Sequence, residues 1–345
     1  MRVLVLTSLV AGLLLWGAPS VRSDSAAAAA PVVPPGQDHA CIVGTPPRHG
    51  IDWAAVHNPI LSYADHGVKD QALQWSDGQW HMLFSELSTT PRAPHYRYDV
   101  ASATSPDLVH WSRPHVIERD AASPDLVRDP QGRFVMTYQT FAGQLRYRIA
   151  TSAALSAWSP AHALAPHLAG RMIDGALAYT GHGVILGFKA GTTAQTQHFE
   201  IAWAPSLSGH FSLVGIPAIN VYNDTIENDE FLTIDGQWTL IATSNVLDQP
   251  FVFTLAPGNP ETPATWLRWS VGRHLVVPSQ SFDTGHGLSS LTFEQDNSAF
   301  LCVGPGNVDY LTYAGSTELT AFGGWGHARI GLARSTDLVD WQVPA

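Results

Sequence analysis

Charged residues are scarce in this chain. They fill 14% of its 345 positions, with 18 Lys and Arg against 29 Asp and Glu, for a formal net charge of −11. Without a basic stripe there is nothing to gather the phosphate contacts that drive nucleic-acid binding, so that class of partner is excluded. Cysteine is rarer still, at two. The 16 His fall in no His-Glu-x-x-His or Cys-x-x-Cys setting, which argues against a zinc centre. The Gly-x-Ser-x-Gly elbow of a serine hydrolase is missing, and so is an Asp-x-Asp calcium loop. Helix-period segments are few, and 29 Gly with 24 Pro disfavour long helical bundles.

What is present begins with an export signal. Arg2 precedes an apolar stretch from Val3 to Gly17, followed by small residues and the run Ala26–Ala30. A positive start, a ~15-residue apolar segment and an Ala-rich zone predict a secretory signal peptide over 1–30. An uncleaved anchor is the alternative, but the run falls short of the about 20 residues that a span needs. No later segment is long and apolar enough to cross a bilayer, so no membrane association is expected after cleavage. Residues 31–54 begin Pro/Gly-rich and read as an N-terminal lead-in, leaving 55–345 as one domain. In an exported chain the even pair Cys41 and Cys302 predicts one disulfide, two unpaired thiols being the alternative.

The 55–345 region repeats itself about every 50 residues. One pattern places a polar residue before a short apolar strand, a turn and an aromatic-rich strand. It occurs from Lys69 (KDQALQWSDGQWHMLFS), Ser123, Ile173, Ile226 and Gly285. The turns, Asp-Gly among them, between apolar runs are hairpin signals. A second pattern, an apolar pair followed by a small residue and an aromatic, closes each unit, as in VASATSPDLVHWSRP. Five units of two hairpins each predict an all-β, five-bladed β-propeller, a ring that leaves no long exposed strand edges. A β-sandwich is the rival fold, but it generates no fivefold period.

In a propeller the first strand of each blade lines the central channel, so residues opening those strands converge at its mouth. Measured back from the turn glycines Gly78, Gly183 and Gly236, the openings are Asp70, Asp174 and Glu227. Pro124-Asp125 opens unit two and His286 opens unit five. Strand propensity depletes Asp and Glu, so carboxylates recurring at matched positions point to chemistry rather than to sheet formation.

These units resemble the glycoside hydrolases of families 43 and 62, which are five-bladed propellers. The resemblance spans about residues 55–344 and implies roles residue by residue. Asp70 matches the base, and Lys69-Asp70 the Lys-Asp pair of family 62. Ile173-Asp174 matches the carboxylate that tunes and orients the acid, and Glu227 matches the general acid. Ser123-Pro124-Asp125 matches a non-catalytic opening. Tyr138-Gln139 is similar to a family 62 strand end, which makes Gln139 a substrate contact along with Lys69 and His286. Gly285-His286 matches an element deep in the channel, where the resemblance allows a structural calcium near His286 through water. The family 43 Glu-Gly-Pro is here Glu227-Asn228-Asp229-Glu230, so Glu230 competes for the acid's role. Asp70 is followed by Gln71 rather than Pro.

The residue types suit that chemistry. Glycosidic cleavage by inversion uses a carboxylic acid and a carboxylate about 6.5–9.5 Å apart, with water between. A third carboxylate close to Glu227 is expected to raise the pKa of this acid by like-charge repulsion, keeping it protonated near neutrality. The expectation is therefore a secreted, monomeric, inverting hydrolase of polysaccharide or oligosaccharide. It would act on arabinofuranosyl linkages, with xylosyl or fructosyl ones open, and would require no cofactor. The rival is a catalytically silent carbohydrate-binding propeller, which would keep the 12 Trp, nine Tyr and 13 Phe and have no need of the paired carboxylates.

Overall fold

The computed structural model describes residues 40–47, 51–89, 96–191, 196–220, 225–244, 249–283, 297–304, 308–317 and 327–344. His286 and the whole of the segment 1–30 read as a signal peptide therefore lie outside the described residues.

Five sheets follow one another along the chain and form the ring of a five-bladed propeller. Blade one holds β1 (His66–Ser76), β2 (Gln79–Thr89), β3 (Tyr96–Ser105) and β4 (His115–Arg119). Blade two holds β5 (Ala121–Arg128), β6 (Phe134–Thr140), β7 (Leu145–Ile149) and β8 (His162–Ala163). Blade three holds β9 (Met172–Thr180), β10 (Gly183–Ala190), β11 (His198–Ala204) and β12 (Ser212–Gly215). A short β13 (Ala218–Asn220) leads to blade four, which holds β14 (Ile226–Ile234), β15 (Gln237–Ser244), β16 (Pro250–Thr254) and, beyond β17 (Arg268–Val271), β18 (Arg273–His274). β17 pairs in parallel with β13. Blade five holds β19 (Asn297–Gly304), β20 (Val308–Gly315) and β21 (Arg329–Ser335). The first strands β1, β5, β9, β14 and β19 neighbour one another around the channel.

Local chemistry explains the hairpins. Asp77-Gly78 and Asp235-Gly236 both sit at positive φ, from 50° to 79°. That is the backbone a tight two-residue turn demands if its twist is to match the flanking strands. Apolar side chains from neighbouring blades then meet between the sheets. Trp80, Tyr138, Trp238, Trp266 and Tyr313 are all essentially fully buried there, so these aromatics are packing residues and not sugar platforms.

The lead-in closes the ring. Cys41 N donates to Val303 O at 2.8 Å and Trp75 N to Cys41 O at 2.7 Å, which wedges residues 40–43 between β19 and β1. Cys41 and Cys302 are joined there, with Cα atoms 4.9 Å apart. Leu61 exchanges backbone hydrogen bonds with Ile330 on β21, so the segment before β1 edges blade five, the last in the chain.

Each of the first four inner strands is bulged at the same place. The left-handed residues are Asp70, Ser123, Asp174 and Asn228, with φ between 51° and 53°. The pairing registers of β1, β5 and β14 slip across Lys69–Ala72, Ala122–Asp125 and Glu227–Glu230. This corrects the equivalence drawn from turn spacing. Asn228, not Glu227, occupies the position of Asp70 and Asp174, and Ser123 occupies it in blade two rather than Asp125. Glu227 stands one residue earlier, in the place of Lys69. A bulge leaves an extra residue unpaired and re-aims its side chain, and here both residues of Lys69-Asp70 and of Glu227-Asn228 line one pocket.

Candidate active site

A pocket of about 320 Å³ opens at the channel mouth, and Asp70, Asp174 and Glu227 all line it, with Lys69, Gln139 and Asn228 beside them. Asp70 is buried and held at both oxygens. Oδ2 accepts from Ser85 Oγ at 2.7 Å and from Ser123 Oγ at 3.3 Å. Oδ1 accepts from Asn228 Nδ2 at 3.0 Å and lies 3.2 Å from Lys69 Nζ. Ser85 is itself placed by the backbone N–H of Ser123, which donates to its Oγ at 2.8 Å. Burial works against a charge on Lys69, but Asp70 and then Glu227 outweigh it and raise its pKa, so it stays a cation.

Asp174 is set by its main chain. Its N–H donates to Gln139 Oε1 at 2.5 Å. Gln139 thus lines the pocket while spending its carbonyl oxygen on orienting a carboxylate. Burial and then the charge of Glu227 push the Asp174 carboxyl up to about 6, against the pull of Lys189. Glu227 Oε2 lies 2.5 Å from Lys189 Nζ, whose side chain is buried on β10.

Glu230 goes elsewhere. It accepts from Leu301 N at 2.7 Å, tying β14 to β19, and it does not line the pocket. It faces a smaller chamber of about 30 Å³ next to Asp70 and Asp174, shared with Asp125 and Asp229. Neither Asp229 oxygen has a hydrogen-bond partner among the described residues. Burial, and then the neighbouring Asp174, raise its pKa well above the ordinary carboxyl value despite Lys189.

Sequence reasoning passed over Ser85, Ser123, Asn228, Asp229 and Lys189. Lys189 carried a signal: it is the one charge in the otherwise apolar strand GVILGFKA, where a cation survives burial only with a partner.

Solved structures share this architecture. A GH62 hydrolase in complex with xylotriose aligns with a TM-score of 0.59 at 12% identity, covering 81% of this chain and 95% of that one. The α-L-arabinofuranosidase of Podospora anserina, in complex with cellotriose, gives 0.57 at 12% identity, covering 83% and 96%. The α-L-arabinofuranosidase from Lactobacillus brevis gives 0.57 at 13% identity, covering 86% and 97%. The fold is that of the propeller glycoside hydrolases. By sequence, no protein-family model and no curated protein matches the chain. The likeness to these hydrolases is carried by the blade arrangement rather than by residue identity.

Proposed function

We propose that the protein is a secreted glycoside hydrolase that cleaves arabinofuranosyl or xylosyl linkages of polysaccharides with inversion. The observation that carries this reading is the convergence of Asp70, Asp174 and Glu227 in one pocket, from three different blades. Relatives in fold include arabinofuranosidases and a hydrolase that holds xylotriose.

The roles follow from the surroundings. Asp70, fixed by four donors, is built to stay an acceptor and takes a proton from the attacking water. Glu227, partly open to the pocket, delivers a proton to the leaving oxygen. Lys189 fixes the Glu227 carboxyl group, and Asp174 adds like charge beside it. The water adds to the anomeric carbon as the glycosidic bond breaks, and the leaving sugar departs as its alcohol.

No cofactor enters this scheme. The calcium that the resemblance allows is expected near His286, which lies outside the described residues. No step is routed through it.

The test is hydrolysis of aryl α-L-arabinofuranoside, aryl xyloside and arabinoxylan, with the anomer of the freed sugar followed by proton NMR. An inverted first product supports the reading, and a retained one overturns the mechanism. Binding of arabinoxylan without turnover of any of the three would leave the silent carbohydrate-binding propeller in its place.

A further inference from the structure

Phe141 is 72% exposed, and it is the one Phe, Tyr or Trp among the described residues that solvent reaches to that degree. It stands on the turn between β6 and β7 and lines the mouth of the pocket. The turn is not loose. Phe141 N donates to Asp120 O at 2.9 Å and Gly143 N to Thr140 O at 2.8 Å. Met172 N reaches across from blade three to Gly143 O at 2.8 Å. A pinned backbone thus presents an aromatic ring to water, while the other large aromatics among the described residues are at least partly buried.

Arg171 comes to the same lip from blade three, just ahead of β9. Its aliphatic stem lies flat on Gly143, where an added Cβ would fall 2.2 Å from Arg171 Cγ. Gly143 also sits at φ +73°. The two reasons for glycine coincide, one for the turn and one for the passage of the arginine. Among the described residues the arginines in ion pairs are Arg97, Arg119, Arg133 and Arg148. Lys69, which lines the pocket, is matched with Asp70, and the buried Lys189 is matched with Glu227. Among the described residues the Arg171 guanidinium is the pocket-lining cation with no carboxylate in ion-pair reach, in a protein of net charge −11.

Ring and guanidinium together specify a ligand. The apolar face of a pyranose stacks on an exposed aromatic, and a planar guanidinium binds a carboxylate through two parallel N–H···O bonds. The carboxylates proposed to cut the bond lie deeper, Asp70 and Asp174 being buried where Phe141 is exposed, and they border a small chamber of about 30 Å³. The sugar to be released therefore occupies the floor, and the part of the glycan left behind occupies the mouth. We propose that Phe141 and Arg171 form the leaving-group subsite and that it selects a uronic-acid sugar, so that the preferred substrate is an acidic polysaccharide. This rests on the hydrolase reading above and narrows its substrate class.

The test separates the two ideas. Oligosaccharides of glucuronoarabinoxylan are compared with the same oligosaccharides after their carboxyls have been reduced to alcohols. Calorimetry is run on the full chain carrying Asp70→Asn, so that binding is read without turnover. The acidic probe is expected to bind about tenfold more tightly than the reduced one, as for one charge-assisted pair, and the gap should shrink in high salt. Arg171→Gln is expected to close the gap. Gly143→Ala should close it as well, since its Cβ displaces the Arg171 stem. Phe141→Ala should weaken both probes by a similar factor. Equal affinity for the two probes, no binding of either, or equal loss of both in Arg171→Gln would overturn the proposal. Turnover of an aryl arabinofuranoside by the unaltered protein reports separately on the hydrolase reading.

Discussion

Asn228 on blade four donates through Nδ2 to Oδ1 of Asp70 on blade one, across the channel at 3.0 Å. Both residues sit at the bulge of their inner strands, with φ of 52° and 51°. The same backbone device thus supplies the proposed base and the amide that orients it. Asn228→Ala removes a hydrogen bond to a charged acceptor, worth about 1.5–3 kcal/mol. We expect kcat to fall about tenfold or more while KM moves little. Steady-state kinetics on an aryl glycoside decide it, and a change confined to KM would place Asn228 in substrate binding instead.

Asp70→Asn should abolish turnover while leaving substrate binding nearly intact, because the amide keeps the shape but takes no proton from water. Glu227→Gln should be nearly as damaging on oligosaccharides but milder on an activated aryl glycoside, whose phenolate leaves with little acid help. The series is read as kcat against leaving-group pKa. If Glu230→Gln rather than Glu227→Gln shows that dependence, the assignment of the acid is wrong, and Glu230 acts in spite of its bond to Leu301 N.

Glu227→Gln should also lower stability. Lys189 is buried and would lose the carboxylate 2.5 Å away, and stranding a buried charge is costly. Asp174 also faces this lysine, so we expect a loss of about 2 kcal/mol, below the usual range for a buried pair. Urea unfolding should show it, and Lys189→Met added to Glu227→Gln should restore most of it. A Glu227→Gln protein as stable as the parent would mean that the pair contributes nothing.

Stability should depend on pH through the buried acids. The Asp174 carboxyl lies at about 6 in the fold, above its ordinary 3.8. A carboxyl raised by folding holds its proton more tightly in the native state. It is neutral in its effect below about pH 4, costs stability between about 4 and 6, and costs a constant amount above that. Asp174→Asn should therefore raise stability at pH 7 by about 3 kcal/mol and by nothing near pH 3. Asp229→Asn should behave in the same sense, since burial raises that carboxyl too. Urea midpoints at several pH values check both, and a gain independent of pH would refute the linkage.

The bond between Cys41 and Cys302 links residues 261 positions apart and fastens the lead-in to β19. Replacing both by Ser should cost about 4 kcal/mol, within the range for native disulfides that close long loops. Chemical unfolding of the double variant, compared with the oxidised and reduced parent, measures it.

The propeller was legible in the sequence because its signals are local. Asp77-Gly78 and Asp235-Gly236 demand tight turns wherever they occur, and alternating apolar residues on either side have few other ways to be buried. The candidate carboxylates were legible for a related reason, since Asp70 and Asp174 sit where strand propensity disfavours them. Register was less legible. Gly78 and Gly236 close their turns, whereas Gly183 already opens β10, so the nine-residue count that fits Asp174, carried to Gly236, placed Glu227 where Asn228 stands. Partnership across blades was hidden more deeply. Lys189 meets Glu227, and Gln139 meets Asp174, only because adjacent inner hairpins close around one channel. Burial likewise sorted the aromatics, placing Trp80, Trp238 and Trp266 between sheets and leaving Phe141 in water. A residue's type and its nearest neighbours in sequence determine the turn or strand it can enter. Which charge it faces across the channel depends on ring closure, and only the tertiary structure decides that.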